Sequence, residues 1–196
     1  MNVEQFVIAY GVEQDRLRAI MPEGFVSLRP VLRINVEIRN NGTETVYVEL
    51  NTAVEIDSKR GWLNIGNWNS TNTDISYVRN GKAITFTMPF LEVTYTGIGM
   101  IGGCPAEKDN EGCFFLDESV IFKPAEKIES NKEFCDCVFS WKFAGDNAHG
   151  ASIGKTLPAF ATEPKKIYDK QEFTVQNAVS IPCEQVLGSY FVEFKR

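Results

Sequence analysis

The sequence predicts a mainly β protein: a curled antiparallel sheet or a closed barrel of about nine strands, with one short N-terminal helix. Two observations predict this class. Apolar and polar residues alternate with period two in several segments, which is typical of strands with one buried face. In addition, Asn41-Gly42 and Asn80-Gly81 each separate two such segments, and Asn-Gly between alternating segments is the strongest short-range signal for a β-hairpin.

The N-terminal third is predicted to contain a strand, a short helix and the first hairpin. The helix is expected because three apolar residues share one stripe at i, i+3 and i+4, and a proline and a glycine then end it. The elements are the strand Gln5–Tyr10, the helix Val12–Met21 with its stripe Leu17, Ile20 and Met21, and the hairpin strands Val31–Ile38 and Val46–Ile56. In the first hairpin strand, Arg33, Asn35 and Glu37 lie on the face opposite the apolar residues.

The remaining chain is predicted to continue as strands and loops. At Pro89 the alternation slips by one residue, which indicates a bulge or bend that keeps the apolar residues on one face. The predicted strands are Gly61–Ile65, Ile75–Arg79, Ala83–Met88, Leu91–Tyr95, Phe114–Phe122, Phe134–Phe143, Glu172–Val175 and Ser189–Phe194. Glycine-rich or small-residue loops are expected at Gly97–Gly112 and Gly145–Thr162.

Composition favours one domain spanning residues 1–196, because 196 residues with 43% hydrophobic content can bury one substantial core. A net charge of −6 disfavours nucleic acid and anionic membrane surfaces as partners. No stretch approaches the ~18 consecutive apolar residues of a transmembrane helix, and the N-terminus does not resemble a signal peptide. We therefore expect a cytoplasmic protein whose five cysteines are reduced thiols.

Three motifs could carry a cofactor, a metal or a ligand. Gly97–Gly102 fits G-x-G-x-x-G, but turn-forming residues follow it where a dinucleotide site needs a helix, so we predict no cofactor. Cys135 and Cys137 point to one side of a strand with aromatic neighbours, which is typical of core thiols, and we predict no metal site. His149, the only histidine, is a candidate ligand contact in a predicted loop.

Lys165 and Lys166 are the candidate catalytic residues. Adjacent ammonium groups disfavour each other's charge, and a neutral amine can attack a ketone to form a Schiff base. Glu163 and Asp169 are close in sequence and would offset this effect. On balance we expect a solvated basic turn with ordinary lysines and no decarboxylation of acetoacetate, and the Schiff-base role is the alternative.

Three segments resemble proteins of the acetoacetate decarboxylase-like superfamily over about residues 5–95. Residues 12–25, Val-Glu-Gln-Asp-Arg-Leu-Arg-Ala-Ile-Met-Pro-Glu-Gly-Phe, resemble the opening helix of that superfamily, x-x-L-x-x-[IL]-[LM]-P-x-G. Val46–Ile56 with Arg60-Gly61-Trp62 resembles its next long strand and turn, and Thr73–Gly81 resembles the N-x-R-T-Y-V segment of an uncharacterised branch. The resemblance implies a curled sheet or double-psi-like barrel around an internal pocket.

The decarboxylases of that superfamily share a mid-chain motif, G-R-E-x-x-G-x-P-K-K, whose first lysine forms the Schiff base. The P-K-K here, Pro164-Lys165-Lys166, lies near the C-terminus without the preceding G-R-E-x-x-G. We therefore predict a barrel that binds a small carbonyl or carboxylate compound. One alternative is a Schiff-base decarboxylase or lyase that uses Lys165, with Lys166 as its electrostatic neighbour. A second alternative is a non-enzymatic interaction scaffold. A homo-oligomer is possible with each of these three functions.

Overall fold

The computed structural model describes residues 1–109, 111–142, 149–150 and 163–196, with the backbone alone at residues 108, 109, 149 and 150. Within these residues, twelve strands form a single sheet with two short α-helices, α1 (Gln14–Ile20) and α2 (Val175–Val179), and a 3-10 helix (Ala106–Asp109). The strands are β1 (Asn2–Gly11), β2 (Val26–Asn40), β3 (Glu44–Ile56), β4 (Lys59–Asn69), β5 (Ser76–Asn80), β6 (Ala83–Thr87), β7 (Leu91–Pro105), β8 (Cys113–Leu116), β9 (Val120–Lys123), β10 (Asn131–Trp141), β11 (His149–Gly150) and β12 (Gln185–Lys195). Neither described α-helix has the length and hydropathy to cross a bilayer.

The sheet is curled, as one of the two sequence-based alternatives predicted. Its strand order is β5-β6-β7-β10-β12-β1-β2-β3-β4-β8-β9, with β11 added beside β10. Strands far apart in this order nevertheless touch. The Tyr77 hydroxyl of β5 donates a hydrogen bond of 2.7 Å to Glu44 of β3, and the rings of Trp68 on β4 and Trp141 on β10 lie 6.5 Å apart. The sheet therefore wraps around its apolar face, while its end strands, β5 and β9, form no ladder with each other within the described residues.

The main core fills the concave side of this curl. Even-numbered residues in the middle of β2, such as Ile34 and Val36, are fully buried there, and alternate residues of β10 meet them from the other half of the sheet. The indole nitrogen of Trp141 donates to the Tyr10 hydroxyl at 3.1 Å, so these two large buried side chains satisfy each other's polar atoms. Period-two alternation thus specifies the buried face correctly.

The opposite face of the sheet is covered as well. Residues 106–109 and 111–128, with the 3-10 helix and the β8–β9 hairpin, form a cover that lies over β1, β2, β3 and β12 on that side. Two small apolar clusters bracket this region, one around Val192 and Phe194 and the other around Trp62 and Leu187. The polar residues of β2 therefore face a covered space between these clusters.

Both predicted Asn-Gly hairpins are confirmed. Asn40 pairs with Glu44 and Asn80 pairs with Ala83, and Gly42 and Gly81 adopt φ angles of 85° and 58° in the connecting turns. Only glycine, and to a lesser degree asparagine, accepts such positive angles without strain.

Other elements differ from the sequence-based expectation. At Pro89, where the phase slip predicted a bulge or bend, the chain reverses direction completely. There β6 and β7 form an antiparallel hairpin closed by a hydrogen bond of 2.9 Å from Met88 N to Leu91 O. The predicted glycine loop is wrong, since β7 continues through the glycines to Pro105. The expected strands Phe114–Phe122 and Glu172–Val175 are also wrong: the first is the β8–β9 hairpin, and the second precedes α2, where the Thr174 side chain accepts a hydrogen bond from Asn177 N.

Replacing Gly103 tests the packing of β7 against β10. A Cβ atom at this position would lie 2.5 Å from the Lys132 carbonyl oxygen, whereas none of the described atoms lies within 4 Å of a Cβ at Gly102. We expect Gly103→Ala to lower the free energy of unfolding by about 1–3 kcal/mol, because backbone must move. Gly102→Ala is the matched control and should change it little; equal chemical-denaturation midpoints for the two variants would contradict the contact.

Candidate functional site

A cavity of about 360 Å³ lies between the second face of the sheet and the cover formed by residues 106–109 and 111–128. This volume is within the ordinary range for small-ligand sites. Its floor consists of Gln5, Arg33, Asn35, Glu37, Arg39, Tyr47, Glu49, Tyr190 and Arg196. Its walls and cover consist of Ala106, Glu111, Cys113, Phe115, residues 123–126, Ile128, Lys132 and Phe194.

Strand register brings the polar floor residues together. Asn35 on β2 pairs with Glu49 on β3, and Glu37 pairs with Gln5 on β1 and Tyr47 on β3. Arg33 pairs with Asn51, which places it diagonally across from Glu49. The floor therefore consists of neighbouring cross-strand pairs, which the register of β1, β2 and β3 brings together.

Glu37 is the centre of a buried charge cluster. Its carboxylate, 3% exposed, accepts hydrogen bonds from Arg39 at 2.7 Å and from two nitrogens of Arg196 at 3.0 and 3.2 Å. Burial alone would raise the pKa of Glu37, but the two guanidinium groups outweigh it and hold the pKa below its ordinary value. Arg196 also bonds Glu126 of the cover at 2.8 Å, so this cluster ties the cover to the floor.

Glu49 is held by neutral partners. Its two oxygens accept hydrogen bonds from the Tyr47 hydroxyl at 2.7 Å and from Asn51 Nδ2 at 3.1 Å. Burial and the Glu49 carboxylate raise the pKa of Tyr47, so this hydroxyl stays protonated and donates. Asn64 donates in turn to Asn51, at 3.2 Å, which orders the edge of the floor.

Arg33 and Asn35 carry polar atoms without hydrogen-bond partners. The Arg33 guanidinium carbon lies 4.0 Å from the Trp62 ring centroid, and its buried Nε atom has no partner among the described residues. Asn35 is 3% exposed, and its Oδ1 atom also lacks a partner there. Buried polar atoms of this kind cost free energy until a donor or acceptor reaches them, so this part of the cavity floor has unmet hydrogen-bonding capacity.

Lys132 is a buried amine in the cavity wall. The residue is 3% exposed, and its Nζ atom lies 4.3 Å from the ring centroid of Tyr190, which also lines the cavity. It precedes the predicted strand Phe134–Phe143, and sequence alternation gave no indication that it would be enclosed.

The predicted catalytic lysines lie elsewhere. The backbone N–H groups of Lys165 and Lys166 donate to Asp15 on α1, at 3.0 and 2.7 Å, and Lys166 Nζ donates to Glu13 at 3.0 Å. The hydrogen bond to Glu13 raises the pKa of Lys166, which favours the charged form. Neither lysine lines the cavity, so a Schiff-base role for Lys165 stays a prediction without support from this geometry.

The remaining sequence-based candidates are placed as follows. The backbone of His149 in β11 pairs with that of Phe139 in β10, but the His149 side chain is outside the described part of the chain. Cys135 and Cys137 are buried core thiols, as expected, and burial raises the pKa of both. Among the described residues no three histidine, cysteine or acidic side chains cluster as metal ligands would.

Comparison with solved structures shows an acetoacetate decarboxylase-like fold. The chain is similar to acetoacetate decarboxylase from Legionella pneumophila, with a TM-score of 0.57 and 12% identity over 98% of this chain and 81% of that one. It is also similar to an acetoacetate decarboxylase-like enzyme from Sphingomonas wittichii, with a TM-score of 0.55 and 10% identity over 98% and 87% of the two chains. A third similar structure is the enduracididine biosynthesis enzyme MppR complexed with pyruvate, with a TM-score of 0.50 and 10% identity over 98% and 84%. No protein-family model and no curated protein matches the sequence.

Ala106, the first residue of the 3-10 helix that follows β7, is 3% exposed and lines the cavity. The chain therefore presents a methyl group to the cavity at this position.

Proposed function

We propose that this protein binds a small carboxylate-bearing molecule in the polar cavity of its curled sheet. The observation that supports this proposal is the Arg33 guanidinium, which lines the cavity and forms no ion pair with another described residue. A planar guanidinium stacked on an aromatic ring is well suited to hold a carboxylate.

The charge of the lining points in the same direction. Five cationic side chains and four carboxylates line the cavity, in a chain whose net charge is −6. Three of the carboxylates, Glu37, Glu111 and Glu126, are already paired with arginines. The cavity would therefore attract a small anion, although the negative net charge of the chain repels anions elsewhere.

Arg33→Gln tests this proposal. We expect the dissociation constant for small carboxylates such as propionate and pyruvate, measured by isothermal titration calorimetry, to increase about 30-fold, because one charge-assisted contact is worth about 2 kcal/mol. Arg60→Gln is the matched control: this arginine pairs with Glu55 on the surface and does not line the cavity. Unchanged affinity in Arg33→Gln, or no carboxylate binding by the unaltered protein, would contradict the proposal.

A second candidate function is Schiff-base chemistry on a carbonyl ligand, with Lys132 as the amine. Two observations favour Lys132 over Lys165: Lys132 lines the cavity and is 3% exposed, whereas Lys165 is on the surface beside α1. An enclosed amine beside a bound carbonyl carbon can condense with it and lose water.

Reductive trapping distinguishes the two lysines. After incubation with acetoacetate or pyruvate and sodium borohydride, we expect intact mass and peptide mapping to place any adduct on Lys132. Lys132→Arg, which keeps the charge, should remove the adduct, while Lys165→Ala and Lys166→Ala should retain it. An adduct on Lys165 that disappears in Lys165→Ala would assign the chemistry to the other site. Absence of any adduct would leave carboxylate binding as the sole function proposed for this cavity.

A further inference from the structure

Glu49 and Arg33 form an unusual pair of opposite charges in the cavity floor. Glu49 is 7% exposed, and neither residue takes part in an ion pair of 4.0 Å or less among the described parts of the chain. A buried charge normally requires a partner of the opposite sign, because it has lost most of its hydration. Here the two charges are close neighbours that do not neutralise each other directly.

Strand register explains why they stay apart. Arg33 pairs with Asn51 and Glu49 pairs with Asn35, so Arg33 and Glu49 are diagonal neighbours on adjacent antiparallel strands. Diagonal Cα atoms lie ~7–8 Å apart. The guanidinium lies over the Trp62 ring, while Tyr47 and Asn51 donate hydrogen bonds to the carboxylate. Each group therefore has its own partners, and the nitrogens of Arg33 stay more than 4.0 Å from the oxygens of Glu49.

Asn35 lies in the middle of this arrangement. It neighbours Arg33 on β2 and faces Glu49 across the ladder, it is 3% exposed, and its Oδ1 acceptor has no partner in the described chain. Each Glu49 oxygen already accepts one hydrogen bond and has a lone pair left for another. The floor thus offers two adjacent acceptors, Asn35 Oδ1 and Glu49, beside one cationic donor.

We propose that the ligand is a zwitterion with neighbouring ammonium and carboxylate groups, an α-amino acid, whose carboxylate binds Arg33 and whose ammonium binds Glu49 and Asn35. This inference rests on the carboxylate-binding function proposed above and adds the second charge of the ligand. A simple carboxylate or an oxo acid satisfies Arg33 but leaves the Glu49 charge and the Asn35 acceptor unmatched. An amino acid satisfies all three groups, since an ammonium has three donors.

Two matched series of compounds test the inference by calorimetry: alanine, pyruvate, propionate and ethylamine, and phenylalanine, phenylpyruvate, hydrocinnamate and phenethylamine. We expect at least one of the two amino acids to bind about tenfold or more tightly than its oxo, deaminated and decarboxylated counterparts. Glu49→Gln should reduce this preference over the deaminated acid to near unity while carboxylate binding is retained. Glu55→Gln, the same change on the same strand but outside the cavity lining, should leave the preference intact.

The outcomes separate this inference from the proposal on which it rests. If the oxo or deaminated acids bind as tightly as the amino acids, or if Glu49→Gln preserves the preference, the zwitterion is excluded and carboxylate binding stands. If the amines bind as tightly as the amino acids, or if no compound binds, both proposals fail. Circular dichroism of Glu49→Gln, expected to match that of the unaltered protein, shows that a lost preference is not a loss of folding.

Discussion

Deleting residues 189–196 is expected to abolish the folded state. These residues form most of β12, which lies between β1 and β10 and connects the two halves of the sheet. The deletion removes Val192 and Phe194, 1% and 6% exposed, at about 1.5–3 kcal/mol each, and also the ladder along β1. Because the entire stability of a domain is about 5–15 kcal/mol, we expect the loss of these side chains together with a central ladder to remove most or all of it. Insoluble or aggregated protein on size-exclusion chromatography is the expected result.

A point substitution on the same strand provides the control for the deletion. Glu193 is exposed between the two buried residues, so Glu193→Gln should change the free energy of unfolding by less than about 0.5 kcal/mol. A soluble deletion variant with a cooperative thermal transition would show that the two halves of the sheet are held together without β12.

Glu37→Ala is expected to be the most destabilising single substitution in the cavity floor. It leaves Arg39 and Arg196 facing each other without their shared carboxylate, at a site where Glu37 itself is 3% exposed. Breaking a buried ion pair by removing one partner costs about 3–5 kcal/mol, and the partial exposure of both arginines favours the lower end, about 3 kcal/mol. Urea denaturation at neutral pH measures this difference.

The same variant should change how stability depends on pH. Since the folded state holds the pKa of Glu37 below its ordinary value of 4.5, its contribution is fully present above pH 4.5 and is lost as the pH falls through the folded pKa. Below about pH 4.5, the unaltered protein should therefore lose more stability than Glu37→Ala does. Parallel losses in the two proteins would contradict the depressed pKa.

Glu126→Ala is the matched control for Glu37→Ala. Glu126 also pairs with Arg196, but its side chain is 45% exposed, and such surface pairs contribute less than about 1 kcal/mol. If Glu126→Ala destabilised the protein as much as Glu37→Ala, the connection between cover and floor would outweigh the buried charge cluster.

Local sequence patterns predicted much of the fold. Alternation identified β1, β2, β3, β6 and β12, and the Asn-Gly pairs located two hairpin turns, because both signals depend on residues that are neighbours in the chain. The errors have local explanations too. At Pro89 a slip of one residue has the same pattern in a bulge and in a tight turn, so alternation could not identify the β6–β7 hairpin. The Thr174 cap likewise converts an expected strand into the start of α2.

The family resemblance implied a pocket inside the curl, but that side is filled by the main core, and the cavity lies on the opposite face of the sheet. Alternation assigned Arg33, Asn35 and Glu37 to the face opposite the core, which is correct. The same pattern is expected whether that face meets solvent or a cover, because period two reports only which side chains share a face. For this reason alternation did not predict that Lys132 is enclosed. The Pro-Lys-Lys motif instead indicated Lys165 and Lys166, which lie beside α1.

The sequence by itself determined which residues form each strand of the first hairpin and which of their side chains point away from the core. Only the tertiary structure decided that residues 106–109 and 111–128 cover this second face and that β12 brings Tyr190 and Arg196 to it. The physical reason is that register and alternation arise from interactions between near neighbours in the chain. Enclosing the polar face depends instead on contacts over long sequence separations, such as Arg196 with Glu37, which no local pattern encodes.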